Sequence, residues 1–385
     1  MLVRRTRPLL AALLLALLPE AAGTASQGAA SRPNPCPGAS GSGVPVAKLG
    51  LQQPHLILDR DFPDPFVARF GGVYHAYATG VGGGGPQLNV QRVHSANLTG
   101  WSASAEALPN ANLPAWVDRS NPQVWAPEVM QVAGRYVLYF NARHHSFSRT
   151  ERSEKGLHVL RRHCLGAAVA DRPEGPFHGI DEPLVCAELP EGAIDASPFR
   201  DGDSLYLLFK DDGNCCGRGS AIYAQGLSPD GLAMLGPRHK LIENADSPEE
   251  YDDWEWQVVE APTMLKRAGA YYLFYSGNFF RNRNYAVGYL KCESPRGPCR
   301  DAGDNPILWS HPKSPLVGPG HQALYEEAGR TYAFYHGWSR DPAGDPEKAR
   351  AEKRCLYVSQ VRWDRWSKVP HDVPTVTGGS PTPRP

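Results

Sequence analysis

An all-β fold, a five-bladed β-propeller with four antiparallel strands per blade, is predicted by three features of the sequence. Five stretches share one design around Asp64, Glu128, Asp195, Glu260 and His321, which are 64, 67, 65 and 61 residues apart. A period of about 65 residues is too long for most solenoid repeats and suits a four-stranded blade. Short aromatic and apolar runs alternate with Gly and Pro turns, and helical periodicity is almost absent. Five blades would bring these polar residues to one end of a central channel.

The third repeat illustrates how one blade would form. Ser197–Arg200 is predicted as the inner strand. Asp201–Asp203 is predicted as a tight turn, because Asp and Gly tolerate the backbone angles of hairpins. Leu205–Phe209 would be the second strand and Ala221–Gln225 the third. A turn at Ser228–Gly231 would lead into the outer strand.

The loops between second and third strands are predicted to surround the polar end of the channel. The inner strand leaves that face and the second strand returns to it, so the loop that follows lies there. Irregular, varied loops often carry binding functions. The loops in question are TGVGGGGPQ, NARHHSFSRTERSEKG, DDGNCCGRGS, GNFFRNRN and HGWSRDPAGDPEKAR.

The N-terminus has the features of a secretory signal peptide, assigned to residues 1–25. Arg4, Arg5 and Arg7 precede the apolar run Leu9–Leu18. That run is about half the length that spans a bilayer, although a single anchor helix is the alternative. We therefore expect a secreted protein with no membrane attachment after signal removal.

Composition suggests the remaining boundaries. Residues 26–48 are rich in Gly, Ser, Pro and Ala and are expected to form a flexible linker. Residues 49–371 would form one propeller, because all-β domains often exceed about 200 residues. Residues 372–385 are expected to form a loose tail.

Eight cysteines fit an oxidising compartment. Connectivity does not follow from sequence, but proximity along the chain favours the pairs Cys164–Cys186 and Cys292–Cys299. No CxxC pair is present, so a zinc site is not expected.

The charge balance excludes one class of partner. Lys and Arg total 40, and Asp and Glu also total 40. There is no basic field for nucleic acid and no acidic tail. No oligomerisation signal is visible, so a monomer is the default expectation.

Asp64, Asp195 and Glu260 each start an inner strand, so all three can face one cavity. A glycosidic bond is cleaved by two carboxyl groups, one protonated and one ionised, and clustered carboxylates raise at least one pKa. Glu260, beside apolar neighbours, is the natural general acid. Asp64, in a rigid Pro-Asp-Pro turn, is the natural general base, and Asp195 the pKa modulator. Each residue alone could be a turn or a strand-edge charge; their common register favours a catalytic set.

These motifs resemble those of glycoside hydrolase family 43, whose members are five-bladed propeller enzymes acting on arabinose- and xylose-containing polysaccharides. The residues that carry the resemblance are FPDPFV, WAPEV, IDASPF, VEAPTM with YYLFYS, and GPGH. The resemblance covers roughly Leu58 to Trp363. It implies acid–base hydrolysis with inversion at the anomeric carbon, no cofactor requirement, and a polysaccharide or oligosaccharide partner. It assigns Asp64, Asp195 and Glu260 the same roles, with base and acid carboxyls about 6.5–9.5 Å apart.

Further site residues are expected from the same resemblance. Trp125 would be a sugar-stacking wall, with a core position between blades as the alternative, and Phe62 is a weaker candidate of the same kind. Glu128 is expected to support the site without taking part in catalysis. His321 resembles the family's axial histidine. A structural calcium ion near it is left open, and no metal ligand is assigned, because calcium prefers oxygen ligands.

Arg283 is a candidate for hydrogen bonds to sugar hydroxyls, although a lone loop arginine is more often a surface residue. It lies in the GNFFRNRN loop of the fourth repeat.

Departures from the family pattern guide the substrate expectation. The start of the first repeat is RDFPDP and lacks the GFHPDP of xylosidase-like members, which favours α-L-arabinofuranosides in arabinan or arabinoxylan. A β-xylosidase or galactan-cleaving relative is the alternative among enzymes. A non-catalytic carbohydrate-binding propeller is the alternative of another class. The complete carboxylate set argues against it, because binding needs no proton donor.

Overall fold

The computed structural model describes most of the chain from residue 54 onwards. The described residues are 54–80, 87–153, 156–186, 188–216, 218–244, 254–301, 305–310, 316–340, 352–365 and 372–376. The predicted signal peptide and linker lie outside them. Within this part of the chain no helix has the length and apolarity needed to cross a bilayer.

Five antiparallel sheets follow one another along the chain and form the blades of a propeller, as predicted. A short strand, β1 (His55–Leu58), comes first. Blade 1 comprises β2 (Phe66–Phe70), β3 (Val73–Thr79), β4 (Val90–Ser95) and β5 (Ala105–Glu106). Blade 2 comprises β6 (Trp125–Val132), β7 (Arg135–Ser153), β8 (Gly156–Ala170) and β9 (His178–Gly179). Blade 3 comprises β10 (Ala193–Asp201), β11 (Ser204–Asp211), β12 (Ala221–Leu227) and β13 (Met234–Glu243). Blade 4 comprises β14 (Val259–Arg267), β15 (Ala270–Gly277), β16 (Ala286–Cys292) and β17 (Cys299–Asp301). Two 3₁₀ turns are described, at Asn110–Asn112 and Gly213–Cys216.

Blade 5 joins the two ends of the chain. It contains β18 (Val317–Glu327), β19 (Arg330–Trp338) and β20 (Arg354–Arg365). The N-terminal β1 pairs with the first part of β20, and β21 (Asp372–Val376) pairs with its last part. A closed ring leaves no long unpaired edge. The expectation of a loose tail from residue 372 is therefore wrong for its first five residues, because Asp372–Val376 completes the edge of β20.

The core lies between neighbouring blades. Between blades 2 and 3, for example, buried side chains of β7 and β11 pack against each other, among them Val137, Tyr139, Leu207 and Phe209. Burying a large apolar side chain stabilises the fold by about 1.5–3 kcal/mol. The aromatic second strands, which predicted the blades, therefore form the contacts that hold adjacent blades together.

Both disulfides that proximity favoured are present. Cys164 is bonded to Cys186 and Cys292 to Cys299. The first joins β8 to the segment that follows blade 2, and the second closes the outer hairpin of blade 4.

A left-handed residue recurs in each blade within or just before the inner strand, at the channel mouth, which is the face where β2, β6, β10, β14 and β18 begin. These residues are Asp64, Ala126, Asp195, Ala261 and His321, with φ between 46° and 59°. Left-handed backbone is rare outside glycine and re-aims side chains at bulges. The bulge also explains why the register read from sequence was wrong in two blades. In blade 2 the residue equivalent to Asp64 is Ala126, and Glu128 lies two residues further on. In blade 4 the equivalent is Ala261, and Glu260 lies one residue before it.

Candidate active site

The second strand of each blade has a buried polar side chain at one shared position near the channel mouth. The side chains are Thr79, Asn141, Lys210, Ser276 and His336, each 15 residues after the left-handed residue of its own blade. In four cases the side chain accepts the backbone N–H of the left-handed residue of the next blade. The bonds are Ala126 N to Thr79 Oγ1 (2.9 Å), Asp195 N to Asn141 Oδ1 (3.3 Å), His321 N to Ser276 Oγ (2.8 Å) and Asp64 N to His336 Nδ1 (3.2 Å). The channel mouth is thus a ring of blades linked by side-chain to backbone bonds.

The carboxylate of Asp64 is held by charged and polar groups. Its Oδ1 accepts a hydrogen bond from Arg354 Nη1 at 2.9 Å, and its Oδ2 accepts one from Thr79 Oγ1 at 2.6 Å. His321 Nδ1 lies 3.5 Å from Oδ1. Burial by itself would raise the pKa of Asp64, but Arg354 and the two nearby histidines outweigh burial and hold that pKa well below its ordinary value. Asp64 is therefore an ionised carboxylate near neutral pH, as a general base must be.

The ionisation of Asp195 depends on two neighbouring groups, His321 and Glu260. Burial raises the pKa of Asp195, His321 opposes that rise, and the negative charge of Glu260 adds to it. Its Oδ2 accepts the backbone N–H of Ala261 at 2.9 Å. Asp195 thus positions the backbone next to Glu260 and also contributes to the charge around it.

Glu260 is buried, with 8% of its surface exposed, and both of its oxygens accept hydrogen bonds. Tyr285 donates its hydroxyl to Oε1 at 2.7 Å, and Lys210 donates from Nζ to Oε2 at 3.2 Å. Tyr285 also stacks on His336, with ring centroids 5.8 Å apart. Gly320 makes room for Tyr285, because a Cβ there would lie 2.0 Å from the tyrosine ring.

The structure brings Asp64, Asp195, Glu260 and His321 to one mouth, although their catalytic and binding roles stay predictions. Glu128 lies beside them, where its Oε2 accepts the hydroxyl of Ser197 at 3.0 Å. Burial raises the pKa of Glu128 to about 8, with Asp195 adding to the rise.

The predicted sugar contacts lie in three different environments. Trp125 is half-buried at the start of β6, and its ring packs on His163 with centroids 4.0 Å apart. Arg283 is exposed in the loop between β15 and β16. Phe62 has no exposed surface and packs in the core beside Val67, so its expected contact with substrate is wrong. Its ring is part of the seam between blades 5 and 1.

Sequence reasoning missed Arg354, Lys210 and Tyr285. Arg354 starts the closing strand, 290 residues from Asp64, and no motif links the two. Lys210 carried a signal, because a lysine ends an otherwise apolar strand, LYLLFK. Trp256 was also overlooked: it lies four residues before Glu260, is 39% exposed and has a left-handed φ of 55°.

No group of three or more His, Cys, Asp or Glu side chains placed to hold a metal occurs among the described residues. The carboxylate nearest to His321 belongs to Asp64, whose oxygens already accept from Arg354 and Thr79. A calcium ion at His321 stays a prediction.

Comparison with known proteins identifies a family over most of the chain. The sequence model described as glycosyl hydrolases family 43 matches residues 54–366. The chain is 26% identical to beta-D-galactofuranosidase xynD of Aspergillus niger over 304 residues, which cover 74% of this chain and 76% of that protein. It is 28% identical to xylosidase/arabinosidase 43A of Humicola insolens over 289 residues, covering 67% and 77% of the two chains.

A solved structure agrees with the fold. The crystal structure of a thermostable family-43 glycoside hydrolase superimposes with a TM-score of 0.65 at 24% identity, covering 84% of this chain and 95% of that one.

Proposed function

The chain belongs to glycosyl hydrolase family 43 and is a glycoside hydrolase, and from this membership we propose that it releases α-L-arabinofuranosyl units from plant-type polysaccharides with inversion. The observation that carries the proposal is the contrast between two carboxylates at one mouth. Asp64 is held ionised by Arg354. Glu260 is paired with Lys210, but it also accepts the hydroxyl of Tyr285 and lies beside the carboxylate of Asp195. One base and one acid are what an inverting glycosidase requires.

The proposed reaction is a single displacement. Glu260 donates its proton to the glycosidic oxygen while the bond from that oxygen to the anomeric carbon breaks. Asp64 takes a proton from a water molecule, whose oxygen forms the new bond to the anomeric carbon from the opposite side. Asp195 orients the acid and adjusts its charge environment through the backbone of Ala261. Proton exchange with solvent then restores both carboxyl groups.

Arabinofuranosides are proposed as substrates because two lines of support converge on them. The first repeat starts with RDFPDP and lacks the xylosidase-like motif. The Humicola insolens relative is named a xylosidase/arabinosidase, and the Aspergillus niger relative is named a beta-D-galactofuranosidase, which is the name of an enzyme for another furanoside. The first of these names also keeps a β-xylosidase activity as the second candidate. Action outside the cell is proposed as well, and the disulfides Cys164–Cys186 and Cys292–Cys299 are compatible with it.

The test is hydrolysis of nitrophenyl α-L-arabinofuranoside, nitrophenyl β-D-galactofuranoside, nitrophenyl β-xyloside, debranched arabinan and arabinoxylan. Glu260→Gln serves as the matched variant, and proton NMR records the anomer first released. Arabinose released with inversion, and lost in the variant, is the expected result. Turnover confined to the xyloside would instead favour the second candidate. Sugar binding without turnover of any substrate by the unaltered protein would overturn the proposal.

A further inference from the structure

One blade departs from the pattern that links the channel mouth. At one shared position of the second strand, 15 residues after the left-handed residue, blades 1, 2, 4 and 5 carry Thr79, Asn141, Ser276 and His336, and each accepts a backbone N–H from the next blade. Blade 3 carries Lys210 there. An ammonium group has three donors and no acceptor, so it cannot make this bond. The N–H of Ala261 is bonded to Asp195 instead, and Lys210 donates to Glu260.

The positive charge of Lys210 is compensated by its surroundings. Lys210 has no exposed surface, and its Nζ donates to Asn214 Oδ1 at 2.6 Å as well as to Glu260 Oε2 at 3.2 Å. Burial would lower the pKa of Lys210, but Glu260, Asp195 and Asp212 outweigh burial and raise it. A buried cation is costly unless it is paired and hydrogen-bonded, and here it is both. In the other four blades this position holds Thr, Asn, Ser or His. In blade 3, which precedes the blade of the general acid, it holds a cation.

The two donors to Glu260 differ in one chemical respect. A protonated carboxyl carries its hydrogen on one oxygen, and the partner of that oxygen must then accept a hydrogen bond or move away. The hydroxyl of Tyr285 can switch from donor to acceptor, whereas the ammonium of Lys210 cannot. The proton of the neutral acid is therefore disfavoured on Oε2 and favoured on Oε1.

Resting on the proposed function, we propose that Lys210 is a positioning residue for the general acid. By occupying Oε2 of Glu260, Lys210 directs the catalytic proton to Oε1, from where the proton reaches the leaving group. Asn214 fixes the ammonium for this task. The other titratable or charged groups that face the pair are Asp195 from β10, Asp212 after β11, Tyr285 before β16 and His321 from β18.

The experiment compares leaving groups, because a good leaving group needs no acid. Unaltered protein and Lys210→Met are assayed on aryl glycosides of the preferred sugar, from 2,4-dinitrophenyl to unsubstituted phenyl. We expect kcat for the phenyl glycoside to fall about 100-fold in the variant, the lower range of general acid catalysis, and kcat for the dinitrophenyl glycoside to change by less than about threefold. The basic limb of kcat/KM against pH should also move to higher pH, because loss of a neighbouring cation disfavours the ionised carboxylate.

Two further variants keep the proposal open to refutation. Lys210→Arg retains a cationic donor and should keep most of the activity on poor leaving groups, even if Lys210→Met folds badly. Lys266→Met removes an exposed lysine at the other end of β14, where it is paired with Asp201 of β10. This variant should change neither readout. Equal losses on good and poor leaving groups, with an unmoved basic limb, would mean that Lys210 only supports the fold. Inactivity of the unaltered protein on every sugar tested would overturn the proposed function and this proposal together.

Discussion

Asp64 and Arg354 form a 2.9 Å contact between Oδ1 and Nη1 across 290 residues of sequence. Asp64 lies at the start of blade 1, and Arg354 is the first residue of the strand that closes blade 5. Arg354 is held in turn against the rings of Phe280 and Trp338, with its guanidinium carbon 5.1 and 5.6 Å from their centroids. The ionised state of the proposed base therefore depends on the closing seam of the ring.

Replacing Arg354 by methionine should alter the pH dependence of activity. The pKa of Asp64 is lowered mainly by Arg354, against the effect of burial, so loss of the cation should raise that pKa. The base is active when ionised, hence the acidic limb of kcat/KM should move to higher pH. We also expect kcat at neutral pH to fall roughly 10- to 100-fold, in the range of misplaced general bases. Arg354→Lys, which keeps the charge, should show the smaller shift; an unmoved acidic limb in Arg354→Met would contradict this account.

Gly320→Ala should disturb the acid without touching it. The added Cβ would meet the ring of Tyr285 at 2.0 Å, and that ring carries the hydroxyl bonded to Glu260. Overpacking of this kind costs about 1–3 kcal/mol of unfolding free energy. Thermal unfolding and kcat should both fall. Gly100→Ala, where a Cβ meets nothing within 4 Å, is the matched control and should leave both unchanged.

Asp212→Asn should remove a stability loss at high pH. Burial raises the pKa of Asp212 from 3.8 to about 7, with Lys210 opposing and Asp195 and Glu260 adding to the rise. Between those two values the folded state binds more protons than the unfolded state, so stability falls as pH rises through the interval. The variant lacks this penalty, and its melting temperature relative to the unaltered protein should increase by about 2–4 °C between pH 5 and pH 8. A constant difference across that range would show that Asp212 does not titrate there.

Trp256→Ala should discriminate between polymer and small substrate. Trp256 is exposed at the turn that precedes Glu260, and Trp254 anchors that turn by packing against Tyr275. Trp256 precedes Glu260 by four residues, at the end of β14 that opens on the channel mouth, where the leaving group of a polysaccharide, another sugar, would lie. Losing an aromatic contact of about 0.5–1.5 kcal/mol should raise KM for the polysaccharide roughly 2- to 12-fold. KM for the nitrophenyl glycoside should stay within about twofold, and a parallel rise for both substrates would exclude a role specific to the polymer.

The sequence predicts the propeller and the meeting of Asp64, Asp195 and Glu260 at one mouth, because both depend on local patterns that repeat; the catalytic roles of these residues stay predictions. The strands of the third repeat fall where predicted, within β10, β11 and β12. The error in blade 2 has a local cause: bulged strands shift by a residue or two, so acidic residues were aligned where Ala126 is the true equivalent of Asp64.

Other features of the site depend on contacts between distant parts of the chain. The family resemblance makes Phe62 a candidate for sugar contact, but its side chain packs in the seam between blades 5 and 1. Arg354 belongs to no repeated motif and reaches Asp64 through ring closure alone. Lys210 stands out only when it is compared with the four residues at the same position of the other blades. That comparison requires the register of the bulges, which the sequence did not reveal.

The route by which the ring closes also bears on the biosynthesis of the protein. Arg354, His321 and His336, which lower the pKa of Asp64 together with Thr79 of blade 1, come from blade 5. The outer edge of that blade is shared with the N-terminal β1. A nascent chain with four finished blades would carry Asp64 without its cation. Pairings between sequence ends are slow to form, because long loops must close first. Catalytic competence should therefore appear late in folding, after most of the secondary structure, and hydrolysis of a chromogenic glycoside would report ring closure during refolding.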